Sequence, residues 1–351
     1  MTIVASEPNA AVVALDAHRV RTSAGHRAAQ RTEAMHRHPS AVSRQDVRRS
    51  GDEIASRRVW QGAAPETPGK PDAPARRLAA VAEFLRRRLV GRYCVDEFGF
   101  DPHFTDAVVM PLLRTLFHGW FRVKVSGIEN LPETGAALVV ANHAGVLPFD
   151  GLMASVAVHD NHRAHRSLRL LAADLVFDSP VLGSAARKAG HTRACPADAH
   201  RLLSNGELTA VFPEGYKGLG KRFGDRYKLR RFGRGGFVSA ALRTRAPIIP
   251  CSIVGSEEIF PMIGDLRPLA RLLGLPYFPI TPLFPAAGPI GLIPLPSRWH
   301  IEFGTPIPTS GFDHVAREDP FVVLDLTDQV RETIQWTIYR LLADRGNAFT
   351  G

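Results

Sequence analysis

The sequence predicts an α/β domain with a mostly parallel central sheet flanked by helices. Three observations carry that prediction. Short, continuous apolar runs alternate with helical patterns, polar glycine-containing loops follow the apolar runs, and no internal repeat is present.

Residues 1–75 are rich in Arg, His, Ala, Ser and Pro and have no sustained apolar period. They read as a basic, disordered arm, either a solvated tail or a segment drawn to anionic lipid. Residues 76–122 form a predicted amphipathic helical anchor. Its first helix, 77–90, carries a basic face, and its second, 104–121, has Arg114 and His118 as polar exceptions. Both helices either pack on the core or lie in the plane of a membrane, because one face is apolar and the other basic. The α/β domain proper is expected over 123–351. Strands are predicted at 136–141, 168–172, 208–212 and 247–254, with an alternating edge strand at 299–303. Helices are predicted at 151–158, 180–188, 197–204, 237–242 and 323–343.

Composition bounds the function. The chain has 351 residues, 45% of them apolar, and a formal net charge of +10. That balance favours an anionic partner without choosing between nucleic acid and an anionic membrane. Aromatic residues are not interleaved with the basic run, as a single-strand platform would need, so no nucleic-acid partner is expected. The three cysteines, Cys94, Cys195 and Cys251, form no C-x-x-C pair. They predict neither a disulfide framework nor a zinc knuckle, and a reducing compartment suits them. No apolar h-region is visible near the start, so no secretory signal is expected. The charge-free stretch 272–297 carries Pro276, Pro279, Pro282, Pro285, Pro289, Pro294 and Pro296. Such proline density cannot sustain a membrane-spanning helix. The stretch is expected to be irregular, packed on protein or dipping shallowly into the interface.

Two loops carry the chemistry. The first is Asn142-His143-Ala144-Gly145-Val146-Leu147-Pro148-Phe149-Asp150, directly after a predicted buried strand. Loops that leave strand C-termini are where α/β sites collect. A neutral histidine there can accept a proton near neutral pH, and an aspartate on its other ring nitrogen would fix the tautomer. A straight helix would hold residues seven positions apart by roughly 10 Å, so His143 and Asp150 can meet only if Gly145 and Pro148 fold the loop back. Asp150 also stands where a helix N-cap is expected. The second loop is Phe212-Pro213-Glu214-Gly215-Tyr216-Lys217. It is expected to expose the Glu214 carboxylate to substrate hydroxyls. A basic run follows, with Lys217, Lys221, Arg222, Arg226, Lys228, Arg230, Arg231 and Arg234, suited to a phosphate or an anionic head group.

Together these blocks resemble the glycerolipid acyltransferases typified by 1-acylglycerol-3-phosphate acyltransferase. Gly190-His191-Thr192-Arg193, Ala246-Pro-Ile-Ile-Pro250 and the run from Tyr227 to Phe237 extend the similarity over roughly residues 105–310. The last run resembles the branch that includes diacylglycerol-acyltransferase-like bacterial proteins. The resemblance implies His143 as the base and Asp150 as its orienting partner. It places Asn142, Gly145, Pro213, Glu214, Gly215, Lys217 and Arg234 in the substrate-binding blocks, and matches Arg193 to an acceptor-phosphate arginine. The usual motif has four residues between His and Asp, whereas this sequence has six.

The implied activity is fatty acyl transfer from acyl-CoA or acyl carrier protein to a lipid hydroxyl. Lysophosphatidic acid or another lysophospholipid is the expected acceptor, with diacylglycerol or a long-chain alcohol as the neutral alternative. No cofactor or metal is required. The expected place is the cytoplasmic face of a membrane, peripheral or monotopic. A non-catalytic lipid-binding or membrane-scaffold protein is the alternative of another class.

Three other patterns are set aside. The stretch 215–222 approaches a P-loop but has Arg222 where a Ser or Thr is needed. His159, His162 and His165 are spaced by three, with only Asp160 nearby, and read as a solvated loop. No G-x-S-x-G elbow is present, and Cys195 and Cys251 read as small buried residues.

Overall fold

The computed structural model describes residues 82, 83, 85–87, 89–91 and 95–349, all within the unit Pro68–Gly351. The predicted arm at 1–75, and much of the first predicted anchor helix, lie outside the described residues. In chain order the strands are β1 (Lys124–Ser126), β2 (Ala137–Ala141), β3 (Arg169–Ala172), β4 (Thr192–Arg193), β5 (Leu208–Val211), β6 (Ile248–Val254), β7 (Gly264–Asp265), β8 (Pro279–Ile280) and β9 (His300–Phe303). The principal helices are α1 (Phe149–Asn161), α2 (Pro180–Lys188), α3 (Pro196–Ser204), α4 (Gly236–Thr244) and α5 (Pro320–Ala343).

Seven strands form one sheet in the order β1-β9-β6-β2-β5-β3-β4, and β7 pairs with β8 separately. All neighbours in the large sheet run parallel except β6 and β9. The chain therefore builds the predicted α/β sheet, mostly parallel and flanked by helices. β2 and β6 lie at its centre and are buried at every position. Continuous apolar runs are what such strands need, because helices cover both faces.

One face packs Val139 and Ile249 against Met153 and Val156 of α1 and against Phe117 and Phe121. The other packs Leu138 and Ile248 against Leu202 of α3, Leu242 of α4 and Val330 of α5. Each such side chain contributes about 1.5–3 kcal/mol by leaving water.

Residues 102–120 are helical throughout, starting after Asp101, whose carboxylate accepts from Phe104 N–H. The hydrogen bonding widens to π type at Thr105–Val109 and Thr115–Trp120. Met110 and Phe117 are buried against the core, so this second predicted anchor helix packs on protein along one face. Its opposite face leaves Leu112 exposed. Arg114 ties it to α1 through two bonds to Asp160, at 2.8 and 2.6 Å.

The edge-strand expectation at 299–303 is corrected. β9 lies between β1 and an antiparallel β6. Its alternation reports one buried and one half-buried face, which an inner strand near a sheet margin can also have. The proline-rich stretch is irregular as expected, with a short 3₁₀ turn at Gly288–Leu292 and the two-residue β8. Among the described residues, no helix is long and apolar enough to cross a membrane.

Candidate active site

β2 and β5 are adjacent and parallel, with Val140 opposite Val211. Their C-terminal loops therefore leave the same sheet edge about 4.8 Å apart. That register brings the Asn142-His143 block beside the Pro213-Glu214 block, although 71 residues separate His143 from Glu214. The His143 ring lies against Phe212, with centroids 4.6 Å apart.

Asp150 Oδ2 accepts from His143 Nδ1 at 2.7 Å and from Ala144 N–H at 2.8 Å. Asp150 Oδ1 accepts from Gly151 N–H at 2.8 Å. The wider six-residue interval is thus closed. Asp150 is fully buried, while the His143 side chain keeps 11% of its surface. With Nδ1 donating to the carboxylate, Nε2 is the unprotonated nitrogen, and no described protein group bonds it. α1 begins at Phe149, so Asp150 is in the first turn instead of at the cap. Its charge there favours the positive end of the helix.

Two features hold the longer loop shut. Gly145 has φ +79°, and a Cβ there would lie 2.8 Å from the Ser256 carbonyl oxygen. Tyr277 O–H donates to the Val146 carbonyl at 2.5 Å. Gly145 is buried and shapes the loop. Asn142 is fully buried. Its amide donates to the Ile253 carbonyl at 2.9 Å and accepts from Ile253 N–H at 2.8 Å, clamping the loop to β6. The substrate-binding expectation for Asn142 is therefore replaced by a positioning one, since both ends of the amide are engaged inside the protein.

Glu214 is also corrected. Proline at the second position of a turn suits the bond from Gly215 N–H to the Phe212 carbonyl, at 3.0 Å. The turn points the Glu214 carboxylate inward, where it is buried. Oε1 accepts from His143 N–H at 2.9 Å, and Oε2 accepts from Arg230 N–H at 2.6 Å. Lys221 Nζ stands 3.4 Å from Oε2 and donates to Glu257 at 2.9 Å. Burial pushes the Glu257 carboxyl up, against the pull of Lys221. Glu214 thus joins the two loops and the basic run, and is not presented to substrate hydroxyls.

Part of the basic run faces inward too. Lys221 is buried in this network, whereas the Arg230 side chain pairs with Asp225 at 2.9 Å at the surface. Lys217 is exposed on the short helix Tyr216–Leu219, while Pro213 and Gly215 are half-buried before it. Arg234 is exposed and lines a cavity of about 640 Å³ with Arg231, Arg243 and Arg317. Arg193 ends β4, at the far side of the sheet, and lies 3.5 Å from Asp174. It shares the C-terminal edge with His143, but three strand spacings, about 14 Å, separate β4 from β2.

Gly218, Lys221 and Tyr277 were not singled out for these roles from sequence. A Cβ at Gly218 would lie 2.6 Å from the His143 carbonyl oxygen and 2.9 Å from His143 Cβ. The glycine lets the helix at 216–219 press on the histidine. His159 is part of an ion-pair cluster, bonded to Asp106 at 3.0 Å and Asp160 at 3.0 Å. Its reading as a solvated loop residue is corrected accordingly. Cys251 is fully buried in β6, and burial pushes its thiol up. Cys195 is half-buried.

A family model described as Acyltransferase matches residues 122–254, the segment that carries both loops. An uncharacterized protein of Mycobacterium tuberculosis is 64% identical over 99% of each chain. The bovine DGAT1/2-independent enzyme synthesizing storage lipids is 28% identical over 56% of each chain. The crystal structure of the 1-acyl-sn-glycerophosphate acyltransferase PlsC from Thermotoga maritima covers 78% of this chain and 99% of its own. It is 18% identical, with a TM-score of 0.48. Residues 122–254, where the two motif loops meet, match the acyltransferase family, and the chain shares sequence with a lipid-synthesizing enzyme.

Proposed function

We propose that this protein transfers a fatty acyl group from an acyl thioester to the hydroxyl of lysophosphatidic acid or another lysophospholipid, with His143 as the general base. The observation that carries the reading is the 2.7 Å bond from His143 Nδ1 to a buried Asp150, which leaves Nε2 available. A lipid hydroxyl does not ionise at neutral pH. Nε2 takes its proton as the oxygen attacks the thioester carbonyl. Asp150 holds the ring and stabilises the imidazolium that forms. The tetrahedral intermediate collapses by breaking the C–S bond, and the imidazolium returns the proton to the departing thiolate. His143 N–H and Ala144 N–H are engaged by Glu214 and Asp150. The oxyanion therefore takes donors from elsewhere around the site. No covalent acyl-enzyme, cofactor or metal enters this scheme. Acyl-CoA is the proposed donor and acyl carrier protein the alternative, with Arg231 and Arg234 offered to the anionic part of the substrates. The reaction is proposed at the cytoplasmic face of a membrane.

A neutral acceptor, diacylglycerol or a long-chain alcohol, is the second reading. The pairing of Arg193 with Asp174 and the storage-lipid activity named for the bovine relative favour it. Thioester consumption by purified protein, with and without each acceptor, tests both. Turnover that requires lysophosphatidic acid supports the first reading, and turnover only with a neutral acceptor supports the second. Lipid binding without any thioester consumption would replace both with a scaffold role.

A further inference from the structure

We propose that residues 263–293 form a docking surface for an anionic phospholipid bilayer, placed so that the His143 loop opens beside the lipid interface. This inference rests on the acyltransferase reading only for its purpose, because the surface is defined independently by exposure and charge. Ile263, Leu266, Leu272, Leu273, Ile290 and Ile293 are exposed within this short segment, Leu272 at 81% and Ile290 at 68%. Apolar side chains at such density, in a protein that buries its sheet on both faces, need a partner.

The charges choose the partner. The segment has a single carboxylate, Asp265, which lies 3.5 Å from Arg267 and accepts from Phe278 N–H. Arg267 and Arg271 flank the exposed leucines, and both are exposed. A leucine-rich face with arginines at its margin suits an anionic lipid surface. Trp120 stands 40% exposed at the border and donates its indole N–H to the Pro294 carbonyl at 2.8 Å. Tryptophan in that half-exposed position matches the polar–apolar boundary of a bilayer.

The surface is also joined to the site. Tyr277, within it, bonds the Val146 carbonyl of the His143 loop and packs beside Gly220. The residues that flank the segment are pinned by bonds from Phe223 N–H to the Met262 carbonyl and from Leu295 N–H to the Ile259 carbonyl. A bilayer seated on 263–293 thus meets the loop that holds the base, and a lipid acceptor need not leave the interface to reach it.

The test is vesicle flotation of the full chain with equal parts phosphatidylglycerol and phosphatidylcholine, and with phosphatidylcholine alone. The variant Leu272→Ser/Leu273→Ser/Ile290→Ser/Ile293→Ser should lower the partition coefficient at least ~30-fold. Arg267→Gln/Arg271→Gln should lower it ~10-fold on the anionic vesicles and hardly at all on neutral ones. Phe321→Ser/Trp336→Ser, exposed apolar positions on α5, should leave it unchanged. Circular dichroism confirms that each variant is folded. His143→Ala should bind vesicles as the wild type does, so loss of activity and loss of docking are read separately. Undiminished flotation of the folded four-site variant would overturn the proposal. A concentration-dependent dimer that the same substitutions abolish, with flotation unaffected, would assign the surface to a second copy and overturn it equally.

Discussion

At the scale of single residues, the site depends on carboxylates that are buried because they have several donors. Asp150 receives three bonds, from His143, Ala144 and Gly151. Asp150→Asn keeps the shape but places an amide where a carboxylate orients the ring, and kcat should fall about 10²–10³-fold with the fold intact. Glu214 differs in kind. It receives His143 N–H, Arg230 N–H and the Lys221 ammonium, and touches no exposed surface of the site. Glu214→Gln leaves Lys221 facing Glu257 alone and sets an amide against backbone donors. The expected cost is about 2–4 kcal/mol in denaturant unfolding, because a buried cation loses a partner. A cost under about 0.5 kcal/mol would show that Glu214 does not join the loops. Gly218→Ala forces a methyl group onto the His143 backbone. It should lower Tm and reduce kcat together, since overpacking of this kind costs about 1–3 kcal/mol and displaces the base.

At the scale of elements, the helix at 102–120 is held to α1 by a cluster that responds to pH. The hydrogen bond to Asp106 holds the His159 imidazole above its ordinary value, helped by Asp160 and opposed by burial. A group whose folded pKa is raised contributes stability that is fully present below the unfolded value, about 6.5, and lost as pH rises through the folded value. Amide exchange at 105–114, corrected for intrinsic rate, should therefore be about threefold better protected at pH 6 than at pH 8. His159→Gln should flatten that difference. Equal protection at both pH values in the wild type would contradict the assignment. The same scale shows what the sequence made legible. β2, β5 and β6 were readable because strands covered on both faces are continuously apolar. β1 and β4 were not, because three- and two-residue strands carry no periodicity. His143 and Asp150 were readable as residue types on a post-strand loop. The role of Glu214 was not, because its partners arrive from residues 143, 221 and 230, which only the sheet register and the fold of the basic run bring together.

At the scale of the whole molecule, the proposed docking combines the chain's net charge of +10 with the apolar segment 263–293. The charge acts at long range and the apolar surface at contact. Salt should weaken the first and spare the second. With acceptor presented in anionic vesicles, kcat/KM should fall about 10-fold as sodium chloride rises from about 0.05 to about 0.5 M. Acceptor in neutral micelles should show no comparable loss, and an equal loss in both would point to salt acting on the protein itself. All of this serves one chemical claim, that His143 takes the proton from the acceptor hydroxyl. The most direct test is acceptor-dependent thioester consumption by wild type and His143→Ala under saturating substrates, with both proteins matched in Tm. A loss in kcat of about 10³-fold, with vesicle binding unchanged, is the predicted result. A His143→Ala protein that keeps its rate within about threefold would contradict the account.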